Sequence, residues 1–237
     1  MAGLANKVGA RYAKKIFVTS SEAASFFPEG KTEIYGNPVR ALPEASTLER
    51  PKEFPEGKKC VFITGGSQGA LGINRKIEES IKEIIADTSL SVVWQVGSKH
   101  VESFQERLGN LPNVSIVGFV NNVYAYFQYA DLIVSRAGAS ALAEILAFGK
   151  PSVLLPFPHA TANHQEKNAR VVEKAGAALV ELDDEPNQLW TKISDLLNND
   201  TKRGQMAEQA KNLGMPDAAD RIAKAILKME KYYAKNA

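Results

Sequence analysis

Several features that define other protein classes are missing from this 237-residue sequence. It has a single cysteine, Cys60, inside an apolar run, so a disulfide framework is impossible and a buried, unreactive thiol suited to a reducing cytosol is expected. No apolar stretch approaches the ~20 residues that span a bilayer, and the amino terminus does not have the pattern of a signal peptide. The formal net charge of +2 is too small to indicate nucleic acid as a partner.

From residue 60 onward, short β-branched apolar runs alternate with amphipathic segments. The runs predict six buried strands, at residues 60–64, 91–97, 114–119, 131–136, 152–157 and 178–182. The first intervening segment carries Ile73, Ile77, Ile81 and Ile84 on one face and predicts a single helix. Strand-helix alternation of this kind predicts an α/β fold, a doubly wound parallel sheet with helices on both faces.

The first 36 residues do not fit that sheet. Their pattern predicts a helix, a strand, a short helix and another strand, which is too little chain for an independent core. Residues 37–57 are rich in Pro and Glu, as linkers often are. The predicted division is a remnant of another domain with the start of the linker (1–40), the linker (41–58), the main domain (59–214) and a carboxy-terminal helix (215–237). The rest of the first domain is expected on another chain or lost by truncation.

The glycine-rich turn "GGSQG", residues 65–69, breaks the first strand before the first helix. It has neither the dinucleotide-binding spacing nor that of a P-loop. Adjacent glycines let the backbone approach an anion, and the following helix offers N–H groups and its positive dipole end, while Ser67 and Gln68 add donors. A phosphate site and an empty turn are both compatible with the pattern.

The same letters spell G-x-S-x-G, the hydrolase nucleophile elbow. Asp131 or Asp183, with His159 or His164, would then complete a triad. A triad with Asp183 has the order Ser-His-Asp, which is wrong for this class, and a further strand follows both histidines. The hydrolase reading is therefore disfavoured. His159 and His164 also lack a third ligand at metal spacing, so no metal site is expected.

Two later stretches carry polar groups to the same sheet edge. After the fourth strand, Ala137–Ser140 form a small-residue turn that opens a helix containing Glu144. A carboxylate there can accept hydrogen bonds from two ribose hydroxyls, or can simply favour the positive helix end. Arg136 is a candidate partner for a carboxylate. After the fifth strand, a polar loop leads to His164 and Gln165, whose side chains suit sugar hydroxyls.

Taken together, "GGSQGALGIN", "SRAGASALAEILAFGKPSVLLPFPHA" and "HQEKNARVVEKAGAA" resemble the MurG family of N-acetylglucosaminyltransferases, as do "AGLANK", "GNPVR" and "MPDAADRIAKAI". The resemblance covers nearly the whole chain. It implies a GT-B fold of two Rossmann-like domains, of which this chain holds the UDP-N-acetylglucosamine (UDP-GlcNAc) domain. The implied donor-binding residues are Arg40, Gly66, Ser67, Gln68 and Asn74 at the diphosphate, Phe119 and Val120 at the uracil, Ser140 beside a phosphate, Glu144 at the ribose, and His164 and Gln165 at the sugar.

The resemblance further implies metal-independent inverting transfer without a cofactor, to a lipid-linked acceptor, in the cytoplasm at the inner face of the membrane. Two departures stand out. Ala141 replaces a hydroxyl residue that many relatives carry, and the glycine-rich loop and membrane-facing patch of the acceptor domain are missing. The catalytic base is expected on that missing or separate domain, which a partner subunit would supply. The alternatives are a nucleotide-sugar-binding module without activity of its own, or another GT-B enzyme such as a UDP-GlcNAc 2-epimerase.

Overall fold

A computed structural model describes residues 3–160 and 163–235. The chain divides into two compact units, Met1–Leu42 with Met215–Ala237, and Pro43–Gly214. Among the described residues, the strands are β1 (Ile16–Val18), β2 (Thr32–Ile34), β3 (Lys59–Thr64), β4 (Leu90–Gln95), β5 (Val114–Val117), β6 (Leu132–Ser135), β7 (Ser152–Leu154) and β8 (Ala178–Val180). The α-helices are α1 (Leu4–Tyr12), α2 (Ser21–Ala24), α3 (Leu71–Glu79), α4 (Ile81–Ala86), α5 (Val101–Leu108), α6 (Val123–Tyr129), α7 (Ala139–Ala147), α8 (His164–Lys174), α9 (Leu189–Leu197), α10 (Asp200–Leu213) and α11 (Ala218–Lys235).

The larger unit is built on a six-stranded sheet in the order β5-β4-β3-β6-β7-β8, with every pair parallel. The predicted doubly wound α/β fold is confirmed. Except for β3, the strands of this sheet are shorter than the apolar runs that predicted them. The fifth predicted strand, 152–157, ends at Leu154, because Pro156 has no N–H for a sheet ladder and the carbonyls of Leu155 and Pro156 accept hydrogen bonds from Arg136 instead.

Apolar side chains on alternate positions of the strands fill a core on each face of this sheet. On one face, Ile73 and Ile77 of α3 pack with Trp94 of β4 and Ile193 of α9, all fully buried. On the other, a second cluster joins α7, α8 and α10 to β7 and β8. Each such buried aliphatic side chain contributes roughly 1.5–3 kcal/mol relative to exposure. The parallel strands are therefore sealed on both faces, and their polar ends lie at the sheet edges.

The single helix predicted through Ile84 is wrong, because the chain leaves helical geometry at Ser80 and divides α3 from α4. The carbonyl of Lys76, which a continuous helix would pair with the N–H of Ser80, accepts from Asn187 Nδ2 at 2.8 Å. The N–H of Ser80 turns to the Ile77 carbonyl. A side chain inserted into the helical ladder is a recognised cause of such breaks.

A buried ion pair fixes α3 against the loop after β8. Lys76 Nζ lies 2.7 Å from Glu181 Oε1, and the two side chains are only 2% and 1% exposed. Lys192 from α9 donates to the other carboxylate oxygen at 2.7 Å, and the Gln188 N–H donates at 3.1 Å. Burial opposes ionisation of Glu181, but the hydrogen bonds from Lys192 and Lys76 outweigh it and hold its pKa below 4.5.

In the smaller unit, β1 and β2 form a separate two-stranded parallel sheet, as their exclusion from the main sheet predicted. Helix α11 belongs to the same unit, where Arg221 lies over the Tyr35 ring and donates to the Ile34 carbonyl. Gly36 at φ +83° lies against Met215. Among the helices of the described residues, none combines the length and apolarity needed to cross a membrane.

Candidate functional site

The glycine turn after β3 is shaped by backbone geometry that side chains would obstruct. Gly66 and Gly69 have φ values of +78° and +76°, and the Gly69 N–H donates to the Gly66 carbonyl at 3.0 Å. A Cβ on Gly65 would lie 2.3 Å from the Ala70 nitrogen. Helix α3 follows at once, with no side-chain cap and no acidic residue in its first turn. Its first N–H groups are therefore oriented toward the turn.

A ring of three hydrogen bonds fixes this turn to the ends of β3 and β4. The Gly66 N–H donates to Thr64 Oγ1 at 3.0 Å, the Thr64 hydroxyl donates to Gln95 Oε1 at 3.1 Å, and Gln95 Nε2 donates to the Gly66 carbonyl at 3.2 Å. Thr64 and Gln95 are both buried. Because both the N–H and the carbonyl of Gly66 are hydrogen-bonded, the turn is preorganised. Ser67 and Gln68, at its tip, are exposed.

Asn74 supports the turn from behind. Its side chain is 2% exposed; Nδ2 donates to the Val96 carbonyl at 3.0 Å, and Oδ1 accepts from Trp94 Nε1 at 3.1 Å. The carbonyl of Val96 and the following Gly97 in turn lie directly against Gly69. The structure thus gives Asn74 a part in positioning the turn, and its expected contact with a diphosphate stays a prediction.

Helix α7 presents a second uncapped amino terminus at the same sheet edge. It follows Gly138, without a side-chain cap and without an acidic residue in its first turn, and Ser140 is exposed there. Glu144 lies in the second turn, half-buried, and accepts a 2.9 Å hydrogen bond from the hydroxyl of Tyr124. After β5, Phe119 is 54% exposed whereas Val120 is 7% exposed. Of these two side chains, that of Phe119 is the one accessible to a ligand.

Arg136, directly after β6, ties together the loops after β7 and β8. Nη1 and Nη2 donate to the two carboxylate oxygens of Asp183 at 2.7 and 2.8 Å, and Nη1 also donates to the carbonyls of Leu155 and Pro156. The expected pairing of Arg136 with a carboxylate is confirmed. The Phe157 N–H donates to Gln165 Oε1 at 3.0 Å. His164, the first residue of α8, is exposed.

These loops border an open cleft of about 1160 Å³ around the amino-terminal half of α3. Of the predicted binding residues, three line it: Gln68, Asn74 and Gln165. Arg136, His159 and Asp183 line it as well. The other predicted residues of the larger unit lie outside this lining, namely Gly66, Ser67, Phe119, Val120, Ser140, Glu144 and His164. Arg40 belongs to the smaller unit.

The hydrolase reading is not supported by the geometry. Asp131 Oδ2 accepts from the Cys60 N–H at 2.7 Å, at the start of β3 and so at the opposite sheet edge from Ser67. Asp183 is committed to Arg136. Among residues 3–160 and 163–235, no group of three or more His, Cys, Asp and Glu side chains is arranged to hold a metal ion.

Sequence reasoning missed Thr64, Gln95, Tyr124 and the role of Asp183. Thr64 and Gln95 had a local signal, since each is a polar residue at the carboxyl end of a largely apolar strand, at the edge where ligands bind in such folds. Tyr124 and Asp183 had none, because their partners lie 20 and 47 residues away along the chain.

The fold is that of GT-B glycosyltransferases. A crystal structure of MurG from Acinetobacter baumannii superposes with a TM-score of 0.76 at 23% identity, covering 96% of this chain and 64% of that one. A UDP-N-acetylglucosamine 2-epimerase superposes with a TM-score of 0.67 at 16% identity. Residues 60–222 match the family described as glycosyltransferase family 28 C-terminal domain, and the chain belongs to this family.

Proteins of similar sequence confirm the resemblance to the MurG family. A protein of Salinibacter ruber is 36% identical over 239 residues, 99% of this chain and 65% of its own length. One of Bacillus pumilus is 38% identical over 231 residues, 93% of this chain and 62% of its own length. Both are named UDP-N-acetylglucosamine--N-acetylmuramyl-(pentapeptide) pyrophosphoryl-undecaprenol N-acetylglucosamine transferase. The chain thus spans less than two thirds of these relatives.

Proposed function

We propose that this chain is the donor-binding part of an N-acetylglucosaminyltransferase of peptidoglycan synthesis. The complete enzyme transfers GlcNAc from UDP-GlcNAc to a lipid-linked muramoyl-pentapeptide, converting lipid I to lipid II. The observation that carries this proposal is the similarity of 93–99% of this chain to relatives named for that transfer. The uncapped amino termini of α3 and α7 beside a preorganised glycine turn support the donor-binding role.

In this proposal the diphosphate lies against Gly66, Ser67 and Gln68, where the backbone can approach it closely. The hydroxyl of Ser140 adds a donor from the start of α7. Positive φ at Gly66 and the N–H groups of α3 favour a bound anion without requiring a cationic side chain in the turn. The contact of Arg40 with the diphosphate stays a prediction from the sequence resemblance.

The side chains on either side of the proposed diphosphate position indicate where the nucleoside and the sugar of UDP-GlcNAc lie. The Glu144 carboxylate accepts hydrogen bonds from the two ribose hydroxyls, and the hydrogen bond from Tyr124 holds this carboxylate in place. The uracil meets the exposed Phe119 and the backbone of Val120. The sugar hydroxyls meet His164 and Gln165. The oxygen of Gln165 accepts from Phe157, which leaves its NH₂ group to donate toward the cleft.

The proposed reaction is an inverting displacement that uses no metal ion. An acceptor hydroxyl attacks the anomeric carbon of GlcNAc, the bond to the diphosphate oxygen breaks, and UDP departs with the bonding electrons. The N–H groups of α3 and α7 stabilise the negative charge that develops on the leaving group. The base that takes the hydroxyl proton is assigned to an acceptor domain or partner subunit. A lipid-linked acceptor places the working enzyme at the inner face of the membrane.

Titration calorimetry of the chain with UDP-GlcNAc tests the donor site. We expect binding of UDP-GlcNAc and UDP, with ADP as the control that binds at least ~10-fold more weakly. Absence of uridine nucleotide binding would remove the basis for the donor-binding role. An assay with lipid I is expected to give little or no turnover by this chain without an acceptor domain, and robust turnover would contradict that expectation.

The same UDP-GlcNAc solutions distinguish the 2-epimerase alternative. An epimerase would convert the donor to its 2-epimer without an acceptor, which NMR of the anomeric proton detects. We expect the donor to remain unchanged over hours.

A further inference from the structure

The cleft around α3 contains one ion pair that the proposed donor contacts do not use. Arg136 and Asp183 are each 13% exposed, and both guanidinium Nη atoms engage the carboxylate. This is the bidentate geometry in which arginine-carboxylate pairs are strongest and most directional. The pair lies at the carboxyl ends of β6 and β8, on the edge that carries the glycine turn.

The guanidinium also holds the segment after β7. Nη1 donates to the carbonyls of Leu155 at 3.1 Å and Pro156 at 3.2 Å. The Arg136 guanidinium carbon further lies 5.7 Å from the centre of the Phe157 ring. Because the next N–H, that of Phe157, donates to Gln165 Oε1, the position of this backbone sets the orientation of the Gln165 amide.

Asp183 in turn is held on two further sides. Its carbonyl accepts from Arg75 Nη2 at 2.9 Å, and its carboxylate lies against Gly72 of α3, where a Cβ would come within 2.0 Å of Oδ2. The loop after β8 is thereby fixed to the helix that begins at the glycine turn. One ion pair therefore links the diphosphate end of the site to the segment that orients Gln165.

We propose that the Arg136–Asp183 pair is a positioning device that makes the site select a sugar-bearing nucleotide over the free nucleotide. The inference rests on the proposed function, since it deepens the donor assignment. Neither residue is a catalytic residue. Their effect reaches the sugar through the Leu155–Phe157 backbone and Gln165. The nucleotide contacts are instead made by backbone N–H groups of α3 and α7 and by the loop after β5, whose geometry is fixed mainly within those elements.

The test measures Kd for UDP and for UDP-GlcNAc in the full chain and in Arg136→Lys and Asp183→Asn. Lysine keeps the charge but has three N–H donors and no planar fork, so it cannot reproduce the bidentate pair with Asp183 together with the bonds to two carbonyls. We expect UDP-GlcNAc binding to weaken on the order of tenfold in each variant, which corresponds to the loss of one or two hydrogen bonds, with UDP binding within about twofold. The ratio of the two Kd values is the readout, because a general loss of folded protein lowers both affinities together.

Arg203→Lys is a matched control. Arg203 is 16% exposed, its Nη1 donates to two backbone carbonyls, those of Leu196 and Leu197, and its Nη2 pairs with Asp200. It caps α9 at the opposite sheet edge, where Lys59 at the start of β3 also donates to Leu197. We expect Arg203→Lys to lower thermal stability without changing the UDP to UDP-GlcNAc ratio.

An unchanged ratio in both Arg136→Lys and Asp183→Asn, in folded protein, would overturn this inference and leave the proposed function standing. Equal weakening of UDP and UDP-GlcNAc would also overturn it. If the unsubstituted chain bound no uridine nucleotide, the proposed function would fail and this inference with it.

Discussion

Gly69 and Gly97 lie backbone against backbone, so that neither position has room for a side chain. A Cβ on Gly69 would lie 2.0 Å from the Val96 carbonyl oxygen, and one on Gly97 would lie 2.5 Å from the Gln68 carbonyl oxygen. Both residues also have positive φ. The contact joins the glycine turn to the loop after β4, and it makes the shape of the turn depend on a residue 28 positions further along the chain.

Gly97→Ala is therefore expected to displace the turn and weaken UDP binding by more than ~10-fold, besides lowering stability. Gly57→Ala is the matched control, since Gly57 also has positive φ, +80°, but nothing within 4 Å of the added Cβ. Positive φ should cost either variant about 1–2 kcal/mol of unfolding free energy. Urea denaturation and calorimetry with UDP measure the two effects, and UDP binding that weakens equally in both variants would contradict the role of the contact.

Glu144→Gln should weaken the binding of UDP on the order of tenfold and leave the binding of 2′,3′-dideoxy-UDP nearly unchanged, because the proposed partners of the carboxylate are the two ribose hydroxyls. Glu166→Gln serves as control; that carboxylate lies in the first turn of α8 and contacts Asn163 and Arg170. Binding of both nucleotides is measured by calorimetry. Equal losses of affinity for UDP and for its dideoxy analogue would mean that Glu144 acts only as a negative charge near the start of the helix.

Glu181→Gln should destabilise the chain by about 3–5 kcal/mol, because it leaves Lys76 buried without its carboxylate partner. Glu78→Gln is the comparison, since the pair of Glu78 with Arg107 is considerably exposed and should contribute within about 1 kcal/mol. Urea unfolding at pH 7 gives both values. If Glu181→Gln lowered the free energy of unfolding no more than Glu78→Gln does, the buried carboxylate would stabilise the chain no more than a glutamine amide at the same position.

The Glu181→Gln variant also tests how the stability of the chain depends on pH. The pKa of Glu181 is lower in the folded chain than its ordinary value of 4.5, so the folded state binds fewer protons than the unfolded state near that pH. The stabilisation is fully present above pH 4.5 and is lost as the pH falls through the folded-state pKa. The difference in unfolding free energy between the unsubstituted chain and Glu181→Gln should therefore shrink as acid is added. A constant difference between pH 6 and pH 3.5 would contradict the assignment.

Cys60 should resist thiol reagents in the folded chain. Burial, with the nearby Asp131 carboxylate, raises the pKa of its thiol to about 11, and the residue is 1% exposed. A disulfide reagent at pH 8 should modify less than one tenth of the chains over an hour, and one thiol per chain once guanidinium unfolds them. Rapid modification without denaturant would show that the start of β3 opens locally.

The fold was predictable where it depends on local pattern. Alternating apolar runs and amphipathic segments were enough to place the six parallel strands of the main sheet and the helices between them. The break at Ser80 was not, because it depends on the Asn187 side chain, which reaches the Lys76 carbonyl across 111 positions. No property of residues 71–86 themselves distinguishes one long helix from two short ones.

The candidate site divides in the same way. The glycine turn and Glu144 were identifiable because strand, turn and helix follow one another in the chain. The groups that hold them were not, since Gln95 and Tyr124 act on residues 29 and 20 positions away. For Asn74, the contact with ligand that its motif suggested stays a prediction; the structure adds the pairing of its amide with Trp94 and Val96, which lie 20 and 22 positions away.

The two units must also complete folding at different times during synthesis. Pro43–Gly214 is one uninterrupted segment, so all of its contacts are available once residue 214 has left the ribosome. The other unit needs both Met1–Leu42 and Met215–Ala237, and its contact between Ile34 and Arg221 joins positions 187 residues apart. At about 5–20 residues per second, the first 42 residues wait on the order of ten seconds or more for α11. During that interval the contacts that α11 makes in this unit, such as that of Arg221 with the Tyr35 ring, cannot form.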